Sequence, residues 1–239
     1  MTESDPIMQD EVRLRGRERF PTKTWYGALS AKGMNSELLE ESKEIELALK
    51  HDDWGRVMYV LQTNPDLVNA VFPKNKEQFT LLHLAARRRA PIVYVEDLVR
   101  LGAFRTIKDA SGLQALAVAE RVWAEHLFSV LRPKVARAID PERLSFIQEM
   151  FHGFLRTFML AYKTPVPLRL PQLSIFTEVD QLRVWIPIPM MAGGCHFWVE
   201  EEGNEFVLHA ETWCRICGGS GMHHRITPFE ITLLEEGFV

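Results

Sequence analysis

The side chains best suited to chemistry lie near the end of the chain: Cys195-His196, then Cys214-Arg215-Ile216-Cys217, then His223-His224 after Gly218-Gly219-Ser220-Gly221. Thiolate sulfur and imidazole nitrogen are the ligands of tetrahedral zinc, so a Cys-x-x-Cys beside two histidines carries the right atoms for that metal. The spacing is wrong for it. No second Cys-x-x-Cys follows, and a second ligand pair would have to come from Cys195 or the adjacent histidines. Trp213 and Ile216 also suggest a continuing strand, on which Cys214 and Cys217 would point to opposite faces. Buried cysteine commonly acts as a small hydrophobe, and no bound metal is expected. A catalytic reading would make Cys214 the nucleophile, His223 or His224 its base and the glycine-rich turn a source of backbone donors. Gly218-Gly219-Ser220-Gly221 fits neither a dinucleotide nor a P-loop pattern, and a tight turn explains it more simply. The expectation is a non-enzymatic protein without a cofactor.

These residues need strands to position them. Leu182 to Ile188, Cys195 to Glu201 and Glu205 to Trp213 alternate as strands do, the last two joined by a turn at Glu202-Gly203-Asn204. Ile226, Ile231 and Leu233 supply shorter apolar pieces around Pro228. Glu200-Glu201-Glu202 reads as a solvated edge that discourages aggregation, and Trp185, Trp198 and Trp213 as core or interface. The prolines of Lys163 to Pro171 forbid helix and predict an extended linker. Before it, Asp140-Pro141 is a strong helix start. Leu144, Ile147, Phe151, Phe154, Leu155 and Phe158 then give one long apolar face. That face predicts a helix capping whatever precedes it, with self-association as the sharper alternative.

At 239 residues, 46% hydrophobic and 25% charged, the chain has room for two small domains. The acidic start Met1-Thr2-Glu3-Ser4-Asp5 lacks a following apolar core, which argues against a secretory signal. No apolar run approaches a membrane helix. With only three cysteines, no disulfide framework is expected, and the reading is cytoplasmic. Arg13, Arg15, Arg17 and Arg19 form a diluted basic string, followed by a Trp25-Tyr26 anchor expected to pack on the first helices. Glu77 to Asp140 holds ten Lys/Arg against seven Asp/Glu, whereas Met190 to Val239 holds two Arg against eight Glu. The acidic C-terminal part and net charge of −4 argue against nucleic acid as the partner.

Phe79-Thr80-Leu81-Leu82-His83-Leu84-Ala85-Ala86 resembles the T-P-L-H-x-A opening of an ankyrin repeat. An apolar second helix through Val95, Leu98 and Val99, a Gly102-Ala103 stop and Asp109 follow in order. Leu82 and Ala85 recur 34 positions later as Leu116 and Ala119. Glu46 to Asn69 resembles a degenerate first unit, so the likeness covers about Lys43 to Pro133. Leu81 stands where the family has proline, Pro91 and an extra residue interrupt the middle unit, and the last unit lacks the Gly-Ala ending. Membership would imply stacked helix pairs that bind other proteins, with His83 tying helices to loops. Glu211 to Arg215, Gly218 to Gly221 and the ending Glu235 to Val239 also resemble uncharacterised bacterial proteins.

The fold expected is α+β, with an extension over 1–40, an ankyrin-like helix-pair stack with its capping helix over 41–163, and a small antiparallel β-rich domain over 164–239. The function expected is protein–protein interaction, with a cytoplasmic inhibitor or immunity-type protein as one concrete form. By the family's pattern, the contacts fall on Phe72, Lys74, Lys76, Arg87, Arg88, Phe104, Arg105 and Lys108, and their charge favours an acidic protein surface. The rival is a zinc- or thiol-dependent enzyme in the β domain, with the repeats selecting its substrate.

Overall fold

Helix pairs form the first half of the molecule and a sheet the second. The computed structural model describes residues 21–73, 75–161, 166–203, 205–214 and 220–238. Seven helices and six strands lie among these residues, an α+β arrangement.

Helix α1 (Ser36–Lys50) is opened by the Asn35 side chain, which accepts from the Leu38 N–H at 2.8 Å. Asp53 does the same for α2 (Trp54–Thr63), accepting from the Arg56 N–H at 2.9 Å. Each cap satisfies an N–H that the first helical turn would leave unpaired. Helices α3 (Leu81–Arg87) and α4 (Ile92–Arg100) make a second pair, and α5 (Ala115–Arg121) with the short α6 (Phe128–Leu131) a third. The first helix of every pair closes in the same way. Asp52, Arg89 and Trp123 take left-handed conformations with φ of 52°, 53° and 56°. The next residue's N–H then reaches back, from Asp53 to Ala48, Ala90 to Ala85 and Ala124 to Ala119. This Schellman closure satisfies the final carbonyls and turns the chain by a similar angle each time.

The pairs share one core that includes Ile45, Val57, Leu61, Leu82, Ala85, Leu98, Ala119 and Leu127, with Leu116 only partly buried. Side chains sew successive units together. Asn69 donates to the Gly102 carbonyl and accepts from the Phe104 N–H, both at 2.9 Å.

Six strands follow the chain order β1 to β6 across a single sheet. They are β1 (Thr22–Thr24), β2 (Arg183–Ile188), β3 (Gly193–Glu202), β4 (Glu205–Cys214), β5 (Ser220–Ile226) and β6 (Ile231–Phe238). The sheet is mixed rather than purely antiparallel. Strand β1 comes from the N-terminal segment and runs parallel to β2, pairing Thr22 with Arg183 and Thr24 with Trp185. Nothing local in Thr22-Lys23-Thr24 announces this, because the pairing partner lies some 160 positions away.

Helix α7 (Pro141–Ala161) packs on this sheet. Its buried Leu144, Ile147, Phe151, Leu155 and Phe158 share a second core with Val184, Ile186, Phe197, Leu208 and Ala210. The ring of Phe151 lies 4.9 Å from that of Phe197. The helix expected as the cap joining the helical stack to the C-terminal part packs chiefly on the sheet, and shares that core with Phe104 and Ile107 from the helical part, since a sheet buries its apolar face only against another layer.

The two layers are locked together. Trp25 enters the sheet's core while neighbouring Tyr26 packs on the helical one. The segment from residue 166 onwards is no free linker: Arg169 N–H donates to the Gly27 carbonyl at 2.7 Å and Leu29 N–H to that of Pro167 at 3.1 Å. Glu178 accepts from both the N–H and the hydroxyl of Thr106, at 2.7 and 2.8 Å, and forms an ion pair with Arg105.

Candidate functional site

Alternation along β2 to β5 sends every second side chain to the face turned away from α7. The register aligns Arg183, Trp198, His209 and Arg225 in one row across that face, and Trp185, His196, Glu211 and His223 in the next. Trp198 is held between the Arg183 guanidinium, 4.3 Å over its ring, and the stacked ring of His209 at 5.3 Å. Its indole N–H donates to Glu200 at 2.7 Å. Arg183 also forms an ion pair with Glu211. Nδ1 of His209 lies 3.0 Å from Nε2 of His223, and Nε2 of His209 lies 3.2 Å from the Glu202 carboxylate. A hydrogen bond from Arg225 holds the Glu202 carboxyl below the usual range. Gly194 is required here, since a Cβ on it would sit 2.2 Å from the Ile186 carbonyl oxygen and 2.7 Å from the Trp185 ring. A concavity of about 490 Å³ opens among Thr22, Arg183, Trp185, His196, Glu211 and Trp213.

This face combines aromatic surface with compensated charge. The thiols lie on the other side. Cys195 and Cys214 are buried on the core face, and burial pushes the Cys195 thiol up, so it stays protonated and shielded. His224 points the same way, against the Phe154 ring at 4.7 Å, while His223 joins the outer face. The cysteines and histidines that looked like one cluster in sequence are thus divided between two faces, and Cys217 lies outside the described residues. Among the described residues no three His, Cys, Asp or Glu side chains are placed to share a metal ion. The three glutamates of β3 extend beyond the end of β2, so they are exposed with β4 as their only strand partner among the described residues, and Glu202 is engaged by His209 and Arg225.

The edge is β6. Among the described residues nothing pairs with its outer side. It presents Ile231, Leu233 and Leu234 at 37%, 47% and 48% exposure, beside Phe229 at 87%. His223 pairs with Glu235 and His224 with Leu233, which leaves Leu234 as the extra residue of a bulge. A hydrophobic edge of this length is a template for strand pairing.

The expected helical contact residues divide. Lys76, Arg87, Arg88 and Lys108 are exposed, with Arg87 facing Glu77 at 3.4 Å and Arg88 facing Asp52 at 2.6 Å. Lys74 lies outside the described residues. Phe72 and Phe104 are corrections: at 2% and 7% exposure they are core side chains that no partner can reach. Arg105 is another, because it is part-buried in the layer junction, paired with Glu178, and donates from Nε to the Val130 carbonyl at 2.7 Å. Phe104 and Arg105 are internal because the second layer covers them, whereas Phe72 is buried within the core of the helix pairs themselves. The β6 edge was legible in part, since Ile231 and Leu233 were apolar strand candidates, but its edge position depends on the order of strands. No helix among the described residues is long and apolar enough to cross a membrane.

A scan of protein-family models finds no match to this chain, and a search of curated proteins finds none.

Proposed function

We propose that this is a non-enzymatic protein-binding module, built on ankyrin-type helix pairs, that occupies the surface of another protein in the manner of an inhibitor or immunity-type protein. The β6 edge carries the reading. Its backbone can accept one more strand while Ile231 and Leu233 supply apolar contacts, the mode of recognition called β-augmentation. Glu230, Glu235 and Glu236 accompany those residues, so the segment it accepts is extended, apolar and basic. The ankyrin component is supported by the recurring Schellman closures at Asp52, Arg89 and Trp123 and by the Asn69 bonds between units.

A photo-crosslinking residue at position 234 tests this in the full chain, with one at the exposed Glu37 as control. The partner crosslinks from position 234 and not from 37, and Ile231→Lys with Leu233→Lys abolishes capture without loss of folding. Capture that survives the double lysine variant removes β6 as the contact. The second reading, an acidic partner on the helical part, is favoured by the exposed Arg87 and Arg88. It requires that Arg87→Glu with Arg88→Glu lose the partner while the β6 variant keeps it.

A further inference from the structure

Arg169 is 5% exposed, yet its Nε and Nη1 have no hydrogen-bond partner. Only Nη2 is engaged, donating to the Lys108 carbonyl at 2.6 Å, while the guanidinium lies 5.4 Å over the Trp25 ring. Burial lowers its pKa to about 10, and nearby Asp109 opposes that fall, so the group remains a cation at neutral pH. Both carbonyl-facing loops are pinned. Gln172 accepts from the Lys108 N–H and donates to the Lys108 carbonyl, each at 2.8 Å. Asp109 spends one carboxylate oxygen on the N–H groups of Ser111 and Leu113, at 2.7 and 2.9 Å. A buried cation with two idle donor nitrogens is costly unless an acceptor arrives.

Arg169 also lines a cleft of about 740 Å³, where the loop 108–112 meets α7 and the segment 168–177. Lys108 and Arg156 stand exposed at the same cleft, whose described walls hold Asp109 as their one carboxylate. Its remaining wall is mixed, with Ile139, Leu144, Met159 and Leu170 giving an apolar side and Ser145, Gln148, His152 and Ser174 a polar one. A cleft of this size, apolar on one side and with polar groups converging on the other, has room for a small molecule.

We propose that this cleft binds a small molecule presenting an oxyanion, carboxylate or phosphate, on an apolar body. Arg169 anchors the anion from inside, Lys108 and Arg156 complete the positive field at the mouth, and the apolar wall holds the body. Guanidinium suits such anions because its donors are planar and permanently charged. The site is independent of the β6 contact, and either can stand without the other.

Calorimetric titration of the full chain with hexanoate, hexyl phosphate and hexanol, at fixed ionic strength, tests the site. At least one of the two anions binds saturably and hexanol does not; which anion binds identifies the head group. Lys108→Ala with Arg156→Ala, both exposed positions, weakens binding by about tenfold, and Arg169→Gln by on the order of a hundredfold. Should Arg169→Gln fail to fold, Lys108→Glu with Arg156→Glu carries the test, and must abolish binding while the melting temperature without ligand stays unchanged. The proposal is overturned if neither anion binds at millimolar concentration, if hexanol binds as well as the anions, or if the mouth variants bind normally.

Discussion

His83 donates from Nε2 to the carbonyl oxygen of Leu113, 3.0 Å away and 30 positions further along the chain. A carbonyl can only accept, so Nε2 carries the proton and Nδ1 is left to accept from the N–H and hydroxyl of Thr80, at 3.3 and 2.8 Å. One fully buried imidazole thereby caps α3 and clamps the loop that opens the next helix pair.

Burial lowers the pKa of His83 from 6.5 to about 4. Between those values the unfolded chain binds a proton that the folded chain refuses, so stability falls as pH drops from about 7 to 4, by up to about 3 kcal/mol from this group. Below that window the contribution stays lost. Denaturant titrations at pH 7 and pH 4.5 should show a smaller acid loss for His83→Gln than for the wild type. The variant itself is less stable at pH 7, because it cannot keep both contacts.

Arg89 is exposed and left-handed at a Schellman position that glycine usually fills. Removing its Cβ relieves backbone strain at a small cost in chain entropy. Arg89→Gly is expected to raise stability by about 0.5–1 kcal/mol, and Arg89→Ala to give no such gain. Equal midpoints for the two variants in urea would sink the strain argument.

Glu178 holds the two layers together through Thr106 and Arg105, with its side chain only 5% exposed. Glu178→Ala leaves a part-buried guanidinium without its ion-pair partner and the buried Thr106 N–H without its acceptor, and is expected to cost about 3 kcal/mol. Urea unfolding measures it. A loss below about 0.5 kcal/mol, the size of a surface effect, would show that the junction contributes little to the fold.

Cys195 and Cys214 are both on the core face and buried. In a Cys217→Ser background no thiol should react with an aromatic disulfide reagent at neutral pH until the protein is unfolded, when two react. Rapid native labelling of either cysteine would place it in an accessible setting and reopen thiol chemistry.

The helical half was legible because its signals are local. The repeat spacing marked Leu82, Ala85, Leu98, Leu116 and Ala119 for the core, and all but the partly buried Leu116 are fully enclosed. Strands β2 to β4 were read to within a residue or two from alternation alone. The apolar stripe of α7 was equally plain, and its burial followed from it.

What that stripe buries against was decided by the tertiary structure. An amphipathic pattern records that a face must be covered and says nothing of which layer covers it; here the sheet won over the helix pairs, through Phe151 against Phe197. The same long-range choice made β1 a parallel strand, buried Phe104, and turned Arg105 from an expected contact into half of an internal ion pair. It divided Cys195, Cys214 and His224 from His209 and His223, because neighbours in sequence on a strand are on opposite faces of the sheet. Arg169 shows the limit most clearly. Nothing in Leu168-Arg169-Leu170 marks a buried cation, and only the docking of Trp25, Lys108 and α7 around it leaves two of its nitrogens without acceptors beside a cleft.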